Sequence, residues 1–260
     1  GTGDITTVAI VGKGRKGEAA FIAKENMTVA GLFIAESVFK HLDRKAFFRP
    51  FFKDGDFVKK GATIATVKAR LSAILMGERA ALNFVQRLSG IATLTASFIK
   101  KAGPKVRVLD TRKTTPCLRL LEKYAVKAGG GYNHRFGLFD CVLIKDNHIA
   151  AAGSIKKAVE KVNRKYREGL LVEVEVTDEK EVREAVEAGA DIIMLDNMGV
   201  AKIRKALKII DNRALVAASG GVTMDNIASI AATGIDFISV GALTHSARAM
   251  DISLEVVHAP

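Results

Sequence analysis

"LLVEVEVTDEKEVREAVEAGADIIMLDN", Leu170 to Asn197, holds two apolar runs with a helical segment between them. In "DEKEVREAVEAG" the apolar residues recur at i, i+3 and i+4, the spacing of one helix face. Similar runs occur elsewhere: "VRVLDTRK" from Val106, "CVLIKDNH" from Cys141, "ALVAASGG" from Ala214 and "DFISVGA" from Asp236. A second clear helix, "MGVAKIRKALKII", follows the fourth run. Continuous apolar strands alternating with helices make a parallel sheet covered on both faces. Six units of this kind fit an open doubly wound sheet or a barrel. The polar residues decide between them, because they fall at the carboxyl end of nearly every strand. A barrel assembles its active site from many strand ends. A doubly wound sheet concentrates its site at one switch point. The expectation is a (β/α) barrel from Lys105 onward.

The first hundred residues read differently. Val8–Phe39 has short apolar runs broken by glycine and charge, which reads as short strands with tight turns. Phe51–Ala69 alternates around Asp54-Gly55 and Lys60-Gly61 as a hairpin does. Ile74–Ala102 has helical spacing, and Gly90 is expected to divide it into two helices. Gly103-Pro104 then marks a domain boundary.

The strand ends form a constellation. Arg112 and Lys113 follow the first run, His134 and Arg135 precede the second, and Lys145 ends it. Glu173 and Glu175 come from the third, Asp196 and Asn197 from the fourth, Ser219-Gly220-Gly221 from the fifth and Gly241 from the sixth. Cations hold carboxylates, and Arg does so bidentately. Glycine-rich turns near helix starts offer backbone N–H groups to phosphate. Acidic residues can bind magnesium or sugar hydroxyls. The sum is a pocket for a phosphorylated sugar, a metal and an acidic small molecule. Blander readings exist for each residue taken alone. Lys145 and Glu175 could be a structural pair, the glycines could be turn chemistry, His148 a cap or core residue, and Cys117 a small packed residue. The concentration of cations on two adjacent segments argues for function.

Composition agrees. The chain has 260 residues, 48% of them hydrophobic, and a net charge of +12, which favours anionic partners. With no Trp and 6% aromatic residues it lacks stacking platforms for single-stranded nucleic acid. Two cysteines make neither a disulfide scaffold nor a CxxC pair, so a reducing, cytoplasmic setting is expected. No apolar run reaches the roughly 18 residues of a membrane span. No signal peptide is visible, though the chain also lacks an initiator Met, which leaves targeting partly open.

"DTRKTTP", "KAGGGYNHRFGLFD", "LIKDNH" and "VEVEV…LDN…ASGG" together resemble the nicotinate-nucleotide pyrophosphorylase (quinolinate phosphoribosyltransferase) family. "GDITT", "GERAALNFVQRLSGIAT" and "GALTHSARAMDISL" are similar to its terminal signatures. The resemblance implies an open-faced α/β sandwich, residues 1–103 joined by 245–260, and an incomplete α/β barrel, residues 104–244. It implies decarboxylating transfer of a phosphoribosyl group to quinolinate, with magnesium as cofactor. It also implies a homodimer in which Arg79 completes the partner's site, and it leaves open whether dimers assemble further into a hexamer. On the same basis Arg112, Lys113, His134, Arg135 and Lys145 hold quinolinate, and Lys113 and Lys145 face the pyrophosphate. Glu175 and Asp196 sit by the ribose hydroxyls and metal, and Ser219, Gly221 and Gly241 form the phosphate loop. Two departures are visible. The chain starts almost at "GDITT", before which the family usually has a helical stretch, so it is either trimmed or a short member, and Cys117 stands where the family commonly has Gly. The rivals are a nicotinate-type phosphoribosyltransferase, a molybdenum-transport paralogue, a lipoyl-type carrier hairpin over "KDGDFVKKGATIATVKA", and a nucleic-acid binder resting on charge alone.

Overall fold

The computed structural model describes residues 3–12, 14–166 and 170–258. In chain order the elements begin with α1 (Ile5–Ile10), β1 (Lys16–Ala23), β2 (Met27–Thr28), α2 (Leu32–Leu42), β3 (Phe47–Pro50), β4 (Phe57–Val58), β5 (Thr63–Arg70) and α3 (Leu71–Ala102). Then come β6 (Arg107–Leu109), α4 (Arg119–Ala128), β7 (Val142–Ile144), α5 (Asp146–Ala152), α6 (Ile155–Lys165), β8 (Val172–Val176) and α7 (Glu179–Glu187). The chain closes with β9 (Ile192–Asp196), α8 (Val200–Ile210), β10 (Leu215–Ser219), α9 (Ile227–Ala231), β11 (Phe237–Ser239), α10 (Ala242–His245) and β12 (Ile252–His258). They form two compact units. One comprises 1–96, 120–130 and 246–260, the other 97–119 and 131–245.

The first unit is built on an antiparallel sheet in the order β12-β1-β5-β3. Its core gathers Phe21, Phe39, Met27, Ile64 and Ile74, all fully buried, with Phe21 edge-on to both Phe39 and Phe48. The expectation of short strands over Val8–Phe39 holds only for β1 and β2. Leu32, Ala35 and Phe39 fall on one buried face of a helix instead. Asp54, from the expected Asp-Gly turn, caps that helix from a distance by accepting from the amides of Gly31 and Leu32 at 2.8 and 3.2 Å. The expected hairpin over Phe51–Ala69 is also wider than its sequence pattern. β5 pairs with β3, which precedes that stretch, while β4 pairs with β2.

Gly90 does not divide α3, which runs unbroken over Leu71–Ala102. A glycine costs a helix interior only about 1 kcal/mol relative to alanine, and packing outweighs that. A Cβ at Gly90 would collide with the backbone carbonyl of Arg248. That carbonyl belongs to a segment fixed by the Arg248 guanidinium, which forks onto Glu25 at 2.8 and 2.5 Å. Gly90→Ala, which raises helix propensity, is therefore expected to lower unfolding stability by about 3 kcal/mol because backbone must move. A urea melt checks this.

The second unit is a parallel sheet in the order β6-β11-β10-β9-β8-β7. β6 and β7 stay unpaired to each other at its two ends, so the barrel is incomplete. Val172, Val174 and Val176 are buried in β8, as are Ile193 and Leu195 in β9. α7 starts at Asp178, whose carboxylate accepts from the Glu181 amide, while Glu181 reaches back to the amide and hydroxyl of Thr177. At the amino ends of the strands, Asp191 and Asp236 accept from the amides of Val172 and Val216 at 2.7 and 2.8 Å. The opposite, carboxyl ends are left for the site. Among the described residues no helix is long and apolar enough to cross a membrane.

Candidate active site

A cavity of about 740 Å³ opens at the carboxyl ends of the parallel strands. The strands are short there, and their ends release the side chains that matter. β6 stops at Leu109, so Arg112 and Lys113 sit on the loop beyond it. Arg112, Lys113, His134, Arg135, Lys145, Glu175, Asp196, Ser219, Gly221 and Gly241 all line the cavity. Arg79 is on α3 in the first unit and does not line it.

The cations differ in their partners. Lys145 Nζ lies 2.6 Å from Glu175 Oε2. His134 Nε2 lies 2.7 Å from Glu173 Oε2. The two guanidiniums instead meet backbone. Arg135 donates to the Cys141 carbonyl at 3.3 Å and Arg112 to the Gly137 carbonyl at 3.5 Å. Burial, followed by the positive charge of Arg112, pulls the Arg135 guanidinium below its ordinary pKa. Two adjacent guanidiniums, each on backbone carbonyls, are a demand for anions.

The same lining carries the acidic residues Glu175 and Asp196. Asp196 ends β9 and accepts from the Asn197 side chain at 2.8 Å. Asn197 takes a left-handed backbone conformation with φ 52°. Its side-chain amide fills the space where a Cβ on Gly220 would be, and Gly220 itself has φ 82°. Side chains larger than hydrogen are thus excluded at Gly220 on two counts. The turn is closed by Asn226, which donates to the Gly221 carbonyl at 2.9 Å and accepts from the Thr223 amide at 2.8 Å. Beyond β11, just before α10, a Cβ at Gly241 would press on Lys113 and His245. Thr244 Oγ1 donates to the Lys113 carbonyl at 2.7 Å. Ser239 also lines the cavity, and its buried hydroxyl has no hydrogen-bond partner among the described residues.

These contacts show what sequence reasoning missed. Thr244 and Asn226 hold cationic and glycine-rich loops in place, and no local pattern marks either. Glu173, read as a rim residue, is 2% exposed and lies below the cavity lining. Of the readings open for His148, the structure selects the cap. Its Nδ1 accepts from the Lys145 amide at 3.0 Å, at the start of α5. Cys117 is not packed but exposed, with φ 65°. The left-handed conformation costs an ordinary residue about 1–2 kcal/mol. Cys117→Gly is expected to raise stability by about 0.5–1 kcal/mol after glycine's own entropy cost, seen as a higher urea midpoint with an unchanged slope.

A family model described as "Quinolinate phosphoribosyl transferase, N-terminal domain" matches residues 4–89, and its C-terminal counterpart matches 91–255. The chain belongs to the quinolinate phosphoribosyltransferase family. Among curated members it is 45% identical to the "Probable nicotinate-nucleotide pyrophosphorylase [carboxylating]" of Bacillus subtilis, over 98% of this chain and 89% of that one. It is 44% identical to the chloroplastic nicotinate-nucleotide pyrophosphorylase of Arabidopsis thaliana, over 98% of this chain and 78% of that one. The solved nicotinate-nucleotide pyrophosphorylase of Francisella tularensis superposes with a TM-score of 0.94 at 43% identity, covering 98% of this chain and 90% of that one. Family membership places the mixed α/β fold, with its amino-terminal sheet unit and incomplete parallel barrel, among known relatives.

Proposed function

We propose that this chain transfers a phosphoribosyl group from phosphoribosyl pyrophosphate to quinolinate, releasing pyrophosphate and CO2 and forming nicotinate mononucleotide for NAD biosynthesis. The observation that carries the reading is the pair Arg112 and Arg135, close enough to repel and bonded to backbone carbonyls, in the lining of a cavity that also carries Glu175 and Asp196. Two guanidiniums match a pyridine dicarboxylate, with His134 as a third donor. Ser219, Gly221 and Gly241 are suited to the sugar's 5′-phosphate, with the Ser239 hydroxyl as a further donor nearby.

The chemistry follows from these positions. The pyridine nitrogen forms a bond to ribose C1 as the bond from C1 to the pyrophosphate oxygen breaks. Positive charge grows on the sugar ring, and Glu175 and Asp196 offset it from the cavity lining. Lys113 and Lys145 offset the charge gathered on the departing pyrophosphate. Lys145 is engaged with Glu175 at 2.6 Å, so the incoming pyrophosphate competes for it and frees the carboxylate for the ribose hydroxyls. Once the nitrogen is quaternary, the carboxylate on the neighbouring ring carbon leaves as CO2. Its electron pair stays in the ring and takes up a proton. No side-chain nucleophile is needed; positioning and charge carry the rate.

The donor set suits magnesium. Among the described residues no cluster of three or more ligating side chains exists. Magnesium ordinarily takes one or two carboxylates and completes its shell with water and substrate phosphates. Glu175 and Asp196 would hold it, and when bound it neutralises pyrophosphate charge. We further propose a homodimer in which Arg79 completes the second copy's site. What supports this is the likeness of "GERAALNFVQRLSGIAT", which contains Arg79, to the family's amino-terminal signature. Two free thiols favour a reducing, cytoplasmic setting. The direct test supplies magnesium, phosphoribosyl pyrophosphate and either quinolinate or nicotinate, and follows the mononucleotide by chromatography. Product from quinolinate only is expected. Product from nicotinate would remove the dicarboxylate role of Arg112 and Arg135 while keeping the sugar site.

A further inference from the structure

We propose that Glu173 is a positioning residue for quinolinate recognition, acting through His134. The inference rests on the reading above that Arg112, His134 and Arg135 cradle the dicarboxylate. Glu173 is on the same face of β8 as Glu175 but two residues earlier, about 6.6 Å nearer the strand's start. It therefore lies beneath the cavity and does not line it. Its side chain is 3% exposed and that of His134 is 13% exposed, yet they meet at 2.7 Å. A buried carboxylate without a charge partner is costly, so a contact this short between such groups is a specified one.

The contact fixes the ring. A carboxylate oxygen and a ring nitrogen this close share one hydrogen, so Glu173 holds His134 Nε2 turned toward β8. The main chain of His134 is held as well, because its amide donates to Asp110 Oδ1 at 2.9 Å and Asp110 is fully buried. Ring and backbone are thus anchored by separate carboxylates, from β8 and from the end of β6. Glu173 also bears on Arg135. The positive charge of Arg112 disfavours the charged Arg135 guanidinium, and the negative charge of Glu173 favours it. One anion beneath the cradle therefore orients one of its donors and supports the charge of another. That explains why a pocket built to attract carboxylates keeps a carboxylate under its floor.

The competing account is that Glu173 only stabilises the fold. The two accounts part in Glu173→Gln, which keeps the shape and can still accept from Nε2–H but removes the charge. We expect E173Q to raise KM for quinolinate about tenfold, since bonds to charged groups are roughly twice as strong as neutral ones. KM for phosphoribosyl pyrophosphate should stay within about twofold, because Glu175, the β8 residue of that site, keeps its own partner Lys145 at 2.6 Å. In a His134→Ala background, E173Q should add little further loss for quinolinate. A purely structural role predicts unchanged quinolinate KM in E173Q, or fully additive losses in the double variant, and either result overturns the proposal. If E173Q folds poorly, Glu173→Asp gives the reading, with an intermediate KM expected and a wild-type KM contradicting the proposal. An activity-free check uses ¹⁵N NMR of the His134 ring in the full chain. The ring pattern should differ between the wild type and Glu173→Ala, which leaves Nε2 without this partner. Identical ring patterns would defeat the Glu173 proposal, whereas a wild-type protein that makes no mononucleotide would defeat the functional reading instead.

Discussion

Arg135→Ala raises KM for quinolinate by about 10²- to 10³-fold, because truncating one side of a desolvated charge pair costs roughly 3–4 kcal/mol. The loss is selective. Arg135 bonds the Cys141 carbonyl at the quinolinate side of the cavity, not the glycine-rich turn, so KM for phosphoribosyl pyrophosphate should stay within about threefold. Removing a half-buried cation from beside Arg112 also relieves repulsion, so the variant should fold about as stably as the wild type. Steady-state kinetics with each substrate varied in turn checks this. A quinolinate KM equal to the wild-type value would mean that the two guanidiniums do not grip the dicarboxylate, and the substrate assignment would fail with it.

Asp196→Asn should act on turnover instead. The substitution keeps the shape and a hydrogen-bonding side chain next to Asn197 but removes the charge that faces the sugar ring. Charge stabilisation of this kind is worth about 10²- to 10³-fold in kcat. The ground-state sugar is less cationic than the transition state, so KM values should move by only about threefold. A variant with wild-type kcat at saturating magnesium would assign Asp196 a structural role, as a partner for Asn197. Loss that more magnesium restores would instead point to metal affinity as the main role of this carboxylate.

The barrel was legible in the sequence because its strands are buried on both faces. "IIML" leaves no polar side to mistake for a surface, and α7 carries its start signals at Asp178 and Glu181. The site was legible because charge collects where the apolar runs stop. What escaped depends on contacts between distant residues. Gly90 looks like a helix break, and only the approach of the Arg248 carbonyl explains it. Glu173 and Glu175 share one face of β8, and period-2 spacing cannot say which of them reaches the rim. The burial of Glu173 depends on His134 folding in from a loop that no periodicity describes. Cys117 by its own residue type gives no sign of its φ of 65°, and the one hint is that the family commonly has Gly there.

The central claim is that glycosidic transfer and loss of CO2 occur together at this one cavity. The most direct measurement incubates the full chain with magnesium, phosphoribosyl pyrophosphate and quinolinate labelled in the carboxylate next to the ring nitrogen, and counts labelled CO2 against nicotinate mononucleotide. The account predicts the two in equal amounts, with no CO2 when the sugar substrate is left out. Mononucleotide formed without matching CO2, or CO2 released without the sugar substrate, would contradict it.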